Sequence, residues 1–333
     1  MKTRSGLWRR NANSKFNDSG HSAIVTHAPV ALLRVTHALV VATGRNSAWV
    51  AIDGQNAPVV ADMRRTRGAR IMPVPGDRVA VTTHEAGRVV IDAIEARTFT
   101  LERESLDGRK KVMAANVDLL VAVVALANPS PRLVTLDQLL AFAHMRSLQA
   151  MVVFTKPDLV DEAEQAQLLS LYRHLGYTAM VCDAKHGVGI EPFRDALVGR
   201  QALMAGMSGV GKSSLFLRLG GDGPVGDVSR FGMGRQTTTT ARLARIGEGF
   251  LIDSPGVNEF GLGRIDAGTL SQGFVEFDDL VTKCRFTDCS HTVEPGCAIR
   301  SAVEIGTIFP SRYESFRRIL SGDAEIIDAG EPD

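Results

Sequence analysis

The stretch of sequence that most restricts the fold is a glycine-rich segment in the second half of the chain. Residues 206–213 fit the pattern G-x-x-x-x-G-K-[ST] at every fixed position, and an apolar run at residues 202–205 precedes them. This order indicates a buried strand, a phosphate-binding loop and a helix that begins near Lys212. Glycines allow the backbone to wrap a phosphate chain with its N–H groups pointing inward, and the helix dipole adds positive potential. A plain glycine-rich turn before a surface helix would not require so complete a match.

The residue types in this loop predict how it binds a nucleotide. We expect Lys212 to reach the β- and γ-phosphates and the hydroxyl of Ser213 to bind the Mg²⁺ ion that bridges them. The residues expected to contact the nucleotide are Gly206, Met207, Ser208, Gly209, Val210, Gly211, Lys212, Ser213 and Ser214.

Two later stretches are typical of the switch segments of a nucleotide hydrolase. Residues 251–256 end an apolar strand in the pattern D-x-P-G, so Asp253 is expected to hold Mg²⁺ through water and the N–H of Gly256 to sense a γ-phosphate. Between the two motifs, residues 234–240 read Gly-Arg-Gln-Thr-Thr-Thr-Thr, and Thr238 or Thr239 is the candidate Mg²⁺ ligand. The position of this threonine run between the two motifs, rather than the run itself, supports the interpretation.

Before the glycine-rich loop, a strand ends in a variant of the guanine-reading motif N-K-x-D. The expected base contacts are Thr155, Lys156, Pro157 and Asp158. The carboxylate of Asp158 would accept hydrogen bonds from the N1–H and 2-amino groups of guanine, while the stem of Lys156 packs over the base. Adenine offers an acceptor at N1 and has no 2-amino group, so the same carboxylate would reject it.

A second candidate base-binding loop follows another apolar strand about 25 residues later. It resembles the S-A-K loop of guanine-binding proteins and consists of Asp183, Ala184 and Lys185. Both base-reading motifs precede the phosphate loop, whereas in ordinary GTPases they follow it. A doubly wound sheet with neighbouring termini tolerates such a reordering. The sequence therefore predicts a circularly permuted α/β GTPase domain.

The elements predicted around these motifs alternate between strand and helix, as a parallel sheet requires. The strands lie at residues 117–125, 150–154 and 177–182, and the helices at residues 134–145, 161–175 and 191–197.

The first part of the chain has a different composition from the rest. Residues 1–115 contain 18 Lys and Arg against 10 Asp and Glu, whereas the remainder contains 20 against 27. A basic front end favours a polyanionic partner. Residues 1–32 are predicted to form a basic disordered arm, residues 103–116 a charged linker, and residues 323–333 an acidic tail.

Residues 33–102 show short β-rich runs separated by turn residues and predict a barrel of the OB type, which binds oligonucleotides. The five predicted strands lie at residues 34–42, 48–52, 57–61, 77–82 and 88–94. The candidates for phosphate contacts in one loop are Arg64, Arg65, Arg67 and Arg70. Trp49 could stack on a base or belong to the barrel core.

After the GTPase domain, predicted at residues 117–262, residues 263–322 predict a mainly helical metal-binding module. Three thiols and one imidazole lie within 14 residues, and they belong to Cys284, Cys289, His291 and Cys297. Such a set completes a tetrahedral structural zinc site. Disulfides or buried thiols are the alternative, and the remaining Cys182 is expected to be buried and inert. On helices predicted at residues 298–305 and 311–320, Arg312, Arg317 and Arg318 are candidates for RNA contacts or for simple solvation.

A basic barrel, a permuted GTPase domain and a Cys-x₄-Cys-x-His-x₅-Cys module in one chain resemble the RsgA (YjeQ) family of small-ribosomal-subunit GTPases. Residues 75–79, 114–118 and 312–316 add to the resemblance, which covers about residues 33–320. It implies slow GTP hydrolysis with Mg²⁺, stimulation by the small ribosomal subunit, a role in late maturation of that subunit and its rRNA, one structural zinc ion, and a monomer.

Two positions depart from the family pattern. Gln236 stands where members often have histidine, and Thr155 stands where the guanine motif has asparagine. Glutamine can orient a water molecule by hydrogen bonding but cannot take up a proton near pH 7. We therefore expect hydrolysis, and we expect a modest effect of Thr155 on guanine affinity.

Two other function classes stay open on sequence grounds. The first is a P-loop ATPase or kinase acting on a small molecule, and the second is a non-hydrolytic RNA-binding assembly factor. The chain contains no apolar run of the roughly 20 residues that a membrane span needs, and its N-terminus lacks a secretory core. A cytoplasmic protein without a membrane partner is expected.

Overall fold

The computed structural model of the chain describes most of residues 35–323, all within one compact unit, Arg34–Asp333. The described ranges are 35–44, 46–55, 57–63, 65–66, 69–70, 72–84, 87–104, 110–221, 242–253 and 265–323. The predicted arm at residues 1–32 and all but the first residue of the predicted acidic tail lie outside these ranges.

The N-terminal part of the structure is a closed five-stranded barrel with a short hairpin in one loop. Its strands are β1 (Val35–Thr43), β2 (Ser47–Ile52), β3 (Val59–Met63), the hairpin strands β4 (Arg65–Thr66) and β5 (Ala69–Arg70), β6 (Arg78–Thr83) and β7 (Val89–Ile94). The barrel order is β1-β2-β3-β7-β6, with β3 and β7 parallel and the other pairs antiparallel. This is the partly Greek-key connectivity of an OB-type barrel, so the fold prediction is confirmed.

The barrel core is apolar and follows the two-residue period of its strands. In β2, Ala48 and Val50 are fully buried, whereas Trp49 between them is only partly buried and lies on the outer face. Trp49 is therefore not part of the barrel core.

Residues 110–115 of the predicted charged linker form a strand. The strand β8 (Thr100–Glu104) pairs in antiparallel orientation with β9 (Lys110–Ala115). The charged composition concealed this hairpin, because backbone pairing does not require apolar side chains. The hairpin packs tightly on the barrel: a Cβ atom on Gly76 would lie 2.1 Å from the carbonyl oxygen of Ala115.

The central part alternates strands and helices as predicted. Its elements are β10 (Leu119–Ala125), α1 (Leu133–Met145), β11 (Gln149–Thr155), α2 (Glu162–His174), β12 (Thr178–Cys182), α3 (Ile190–Leu197), β13 (Gln201–Ala205), α4 (Lys212–Arg218), β14 (Arg242–Ile246) and β15 (Gly249–Asp253). The sheet order is β12-β11-β10-β13-β15-β14, and all neighbours are parallel except β14 and β15. All seven residues of β10 are buried, as expected for a strand covered on both faces.

Short helices and aromatic side chains form the C-terminal module. It contains α5 (Ala267–Ser271), α6 (Ala298–Glu304), α7 (Pro310–Ser321) and two 3₁₀ turns at Val275–Phe277 and Val281–Lys283. Phe274, Phe277 and Phe316 are fully buried and contact one another with ring centroids 5.1 to 5.5 Å apart. Aromatic packing of this kind gives a small module a core of its own.

A buried ion cluster joins this module to α1 of the sheet domain. Arg312 of α7 has no exposed surface, and its guanidinium donates to Asp137 Oδ1 at 2.5 Å and to Glu276 Oε1 at 2.7 Å. It also lies 4.6 Å from the ring centroid of Phe274, and Tyr172 donates to Asp137 Oδ1 at 2.9 Å. The interpretation of Arg312 as a solvated residue or an RNA contact is therefore wrong, since it is enclosed by carboxylates and an aromatic ring.

Replacing this arginine is expected to destabilise the protein strongly. Arg312→Met should lower the free energy of unfolding by about 3–5 kcal/mol, because two carboxylates lose their buried cation. Urea denaturation followed by circular dichroism measures the change. Arg317→Met on the exposed face of the same helix is the matched control, with an expected effect of at most about 0.5 kcal/mol. Equal effects of the two variants would show that the cluster does not hold the module.

Candidate nucleotide site and metal centre

The glycine-rich loop connects β13 to α4 and has a backbone that only glycine adopts readily. Gly206, Gly209 and Gly211 have φ angles of 149°, 78° and 98°. A Cβ atom on Gly206 would lie 2.2 Å from the carbonyl oxygen of Val123 in the neighbouring strand β10. The loop is therefore shaped by positive φ angles and by contact with the adjacent strand end.

The lysine of the motif lies at the base of this loop. Lys212 is buried, and its Nζ donates to the carbonyl oxygens of Gly206 at 2.7 Å and Met207 at 2.6 Å. Burial lowers the pKa of Lys212, although the nearby carboxylate of Asp253 acts to raise it. The ammonium group is thus held against the inside of the loop that it is predicted to serve.

Ser213, in the first turn of α4, and Asp253, the last residue of β15, form a polar pair at the edge of the sheet. The hydroxyl of Ser213 donates to Asp253 Oδ2 at 3.3 Å, and Asp253 is aligned with Met204 in the parallel pairing of β13 and β15. A hydroxyl and a carboxylate are oxygen donors of the type that Mg²⁺ prefers. The pair fits the predicted magnesium ligands.

The strand β11 brings the base-reading motif to the opposite side of the same loop. Thr155 is buried, and its Oγ1 donates to the carbonyl oxygen of Val210 at 2.5 Å. The next residue, Lys156, has a φ angle of 56°, and its Nζ donates to the carbonyl oxygen of Asn128. The hydroxyl at the asparagine position of the motif therefore ties it directly to the phosphate loop.

The predicted base-binding side chains line one cleft. Its volume is about 250 Å³. Asp158 lies exposed in the 3₁₀ turn Pro157–Leu159 at one side of the cleft. The residues that line the cleft are Thr155, Lys156, Asp158, Leu159, Asp183, Ala184, Lys185, Gly211, Ser214 and Leu215. The two base-reading motifs and the start of the P-loop helix, far apart in sequence, thus meet in one place.

The carboxylate of Asp183 organises its own loop. Asp183 Oδ1 accepts hydrogen bonds from the backbone N–H groups of Lys185 at 2.8 Å and His186 at 3.1 Å, and Oδ2 pairs with His186 Nδ1 at 2.5 Å. Burial acts to raise the pKa of Asp183, but the hydrogen bonds from His186 and Lys185 hold it below its ordinary value. His186 was not predicted as part of this loop, because a lone histidine between two elements matches no motif.

Four predicted switch residues lie outside the described part of the chain. They are Gln236, Thr238, Thr239 and Gly256.

The four predicted metal ligands come together in the C-terminal module. The donor atoms of Cys284, Cys289, His291 and Cys297 all lie within 4.8 Å of one another. A tetrahedral zinc ion with Zn–S bonds of about 2.3 Å places its sulfurs about 3.8 Å apart. Burial lowers the pKa of His291, which favours the neutral imidazole that binds metals. The cluster is therefore compatible with one zinc ion.

Residues next to the cluster hold its loop in place. The carboxylate of Glu294 accepts from the backbone N–H of Ser290 at 2.9 Å, and hydrogen bonds from the side chain and backbone of Ser290 lower the pKa of Glu294 to about 2. The hydroxyl of Tyr313 on α7 donates to the carbonyl oxygen of His291 at 2.7 Å. Sequence reasoning identified the ligands but neither of these supports, whose partners are backbone atoms.

A family model described as RsgA GTPase matches residues 94–263. This chain belongs to the RsgA GTPase family. Its relatives include the "Small ribosomal subunit biogenesis GTPase RsgA" of Pseudomonas aeruginosa (strain LESB58), 43% identical over 259 residues and 76% of each chain. The protein of the same name from Pseudomonas syringae pv. syringae (strain B728a) is 39% identical over 283 residues and 82% of each chain. As a member of the RsgA family, the protein is a GTP-hydrolysing enzyme.

Two solved structures share the fold of this RsgA-family chain. YjeQ from Thermotoga maritima superposes with a TM-score of 0.70 at 31% identity and covers 87% of this chain and 98% of its own. YloQ, titled a circularly permuted GTPase, superposes with a TM-score of 0.67 at 22% identity and covers 90% of this chain and 98% of its own. Together with the strand order, these similarities confirm the predicted circular permutation. Among the described helices of this RsgA-family protein, none is long and apolar enough to cross a membrane.

The hydrogen bond between Thr155 and Val210 yields a prediction for nucleotide affinity. Thr155→Val keeps the shape of the side chain but leaves the carbonyl of Val210 without this donor, at a cost of about 1–2 kcal/mol. We expect weaker binding of GDP and a lower unfolding temperature, measured by calorimetry and thermal denaturation. Thr155→Ser, which keeps the hydroxyl, should retain most of the affinity for GDP and most of the thermal stability. Wild-type affinity and stability in Thr155→Val would show that the bond is dispensable.

Proposed function

We propose that the cleft beside the P-loop binds GTP and GDP together with Mg²⁺. The observation that carries this proposal is the meeting of three separate motifs, at residues 155–158, 183–185 and 206–214, around one cleft and one loop. Each motif supplies a different part of the recognition. The P-loop at residues 206–214 binds the phosphates, residues 155–158 bind the Watson–Crick edge of the base, and residues 183–185 bind its position-6 oxygen.

Guanine is selected by the donors and acceptors on the cleft walls. The carboxylate of Asp158 accepts from the N1–H and 2-amino groups, which adenine does not offer. Ala184 lines the cleft, and its backbone N–H has no acceptor among the described residues. That N–H would donate to the O6 atom of guanine, whereas adenine has an amino group at this position.

Hydrolysis uses residues at the start of α4 and at the end of β15. Bound Mg²⁺ neutralises charge on the β- and γ-phosphates, and Ser213 and Asp253 would hold it, the latter through water. Lys212 donates to the same phosphates. The remaining assignments come from the sequence: Thr238 or Thr239 as a further Mg²⁺ ligand, Gly256 as the γ-phosphate sensor and Gln236 as a candidate for orienting the attacking water.

The GTPase acts in late maturation of the small ribosomal subunit, with the barrel on rRNA and with affinity that changes with the bound nucleotide. The names of the relatives and the basic N-terminal region support this role. In the barrel loop, Arg65 and Arg70 occupy directly paired positions of the β4–β5 hairpin. Two arginine positions paired in one hairpin suit contacts to a phosphate backbone, which are made by charge rather than by sequence. We place this activity in the cytoplasm and expect the protein to be a monomer. Its domains have the limits given above.

The C-terminal module holds one structural zinc ion. The protein supplies all four ligands of a tetrahedral site, which leaves no open position for a substrate. The ion would therefore stabilise the fold.

Phosphate release from GTP and from ATP, each with and without purified small ribosomal subunits, tests the main proposal. We expect turnover of GTP only, and a rise of at least about tenfold when subunits are added, since a partner that completes the switch arrangement lowers the barrier. Lys212→Ala is the inactive control. ATP turnover would favour the small-molecule ATPase or kinase instead. A Lys212→Ala protein that still supports subunit maturation without hydrolysis would favour a non-hydrolytic assembly factor.

Metal analysis of purified protein tests the zinc proposal. Wild-type protein should contain about one zinc per chain, and Cys289→Ser should contain much less and unfold at lower temperature, because a structural ion contributes directly to folding. Cys182→Ser is the matched control, since Cys182 is buried at the end of β12 outside the cluster. Zinc that is lost equally from both variants, or absent from the wild type, would contradict the proposal.

A further inference from the structure

The turn that follows β12 is closed by its own backbone. Asp183 N–H donates to the carbonyl oxygen of Val188 at 2.8 Å, and Gly187 N–H donates to the carbonyl oxygen of Asp183 at 2.8 Å. Behind it, a Cβ atom on Gly189 would lie 2.1 Å from the carbonyl oxygen of Val181. The base of the turn is thus fixed to β12, while its tip at residues 184–186 projects toward the P-loop helix.

An arginine of the P-loop helix contacts this tip. Arg218 Nε donates to the carbonyl oxygen of Ala184 at 2.5 Å, and its Nη2 donates to the carbonyl oxygen of Lys185 at 2.9 Å. Ser214 and Leu215, which line the cleft, lie four and three residues earlier and therefore on the same face of α4. One side chain thus connects the helix that starts at the phosphate loop with the loop predicted to read the base.

These contacts fix one peptide unit at both ends. The peptide between Ala184 and Lys185 has its oxygen held by Arg218 and its N–H held by Asp183 Oδ1. A peptide unit is planar, so holding its two polar atoms sets its orientation. The orientation of the preceding N–H, on Ala184, is then restricted to rotation about the bonds of a single residue. Since Ala184 lines the cleft, this restriction acts on a backbone group at the cleft wall.

We propose that Arg218 is a positioning residue for guanine recognition, which directs the Ala184 N–H toward the position-6 oxygen of the base. This inference rests on the proposed nucleotide cleft. Arg218 itself touches no part of the nucleotide; it acts through the carbonyls of Ala184 and Lys185. A planar guanidinium suits this task because its donors lie in a fixed fork, whereas the three donors of an ammonium group rotate on a flexible stem and set the geometry less strictly.

The test compares diphosphates that differ at single positions of the base. Dissociation constants are measured by calorimetry with Mg²⁺ for GDP, for 6-thioguanosine 5′-diphosphate and for IDP. Sulfur accepts hydrogen bonds weakly, so the first two ligands differ in the position-6 contact, whereas IDP lacks the 2-amino group that Asp158 reads. In Arg218→Ala we expect GDP binding to weaken by about fivefold and the preference for GDP over the thio analogue to shrink by a similar factor. The preference for GDP over IDP should not change.

Two further variants control for general damage to the site. Arg194→Ala removes an arginine of α3 that contacts the C-terminal end of α4, where it donates to the carbonyl oxygens of Leu219 at 3.2 Å and Arg218 at 3.4 Å but not to the turn. Its binding constants should match the wild type. Arg218→Lys keeps the charge and should recover only part of the position-6 preference. If Arg218 had only a structural role, Arg218→Ala would weaken the binding of all three ligands by the same factor, and that result would overturn the inference.

Asp158→Asn separates this inference from the proposal on which it rests. The amide should shift preference from GDP toward xanthosine diphosphate, because xanthine has a carbonyl oxygen where guanine has its amino group. If this shift is absent, the cleft itself is wrongly assigned. If the shift is present and Arg218→Ala retains the full preference for GDP over its thio analogue, the cleft stands and the role of Arg218 is refuted.

Discussion

The pairing of β13 with its two parallel neighbours is the interaction on which the site depends. Because β10, β13 and β15 run in the same direction, their carboxyl ends meet at one edge of the sheet, where ligands bind in folds of this class. The register aligns Met204 with Asp253, and it brings Gly206 against the carbonyl of Val123. A shift of one residue would separate Ser213 from Asp253 and would turn every buried side chain of β13 to the opposite face.

This dependence explains why the circular permutation leaves the site intact. Along the chain, the strands that carry the base-reading motifs come before the strand that carries the phosphate loop. Which carboxyl ends lie next to one another depends on the order of the strands in the sheet and not on their order in the chain. Thr155 at the end of β11 therefore reaches the carbonyl of Val210 although 55 residues separate them. The permutation has one structural consequence: the chain runs from β15, which carries Asp253, toward the C-terminal module rather than back into the sheet.

The sequence was sufficient wherever a side-chain period or a motif carried the information. The P-loop, the five barrel strands and the four clustered metal donors all followed from local patterns, because glycine at positive φ, alternating apolar residues and ligand spacing are local constraints. Three features did not follow. The β8–β9 hairpin is defined by backbone pairing within a stretch of charged composition, the burial of Arg312 depends on carboxylates from two other segments, and Arg218 donates to backbone carbonyls. Each depends on partners that no pattern along the chain specifies.

The buried arginine joins the module that carries the metal ligands to α1, the helix that borders the phosphate loop. Leu136 and Leu139 of α1 line the same small pocket as Gly206 and Met207 of the P-loop, and Asp137 of α1 is held by Arg312 of α7. A buried ion pair contributes little net stability relative to apolar packing, but it does require its partners to meet in one geometry. The cluster therefore fixes the direction in which the metal-binding module faces the helix that borders the phosphate loop. Separating Asp137 from a fully buried guanidinium would leave two uncompensated charges, so a movement of α1 is expected to carry α7 with it.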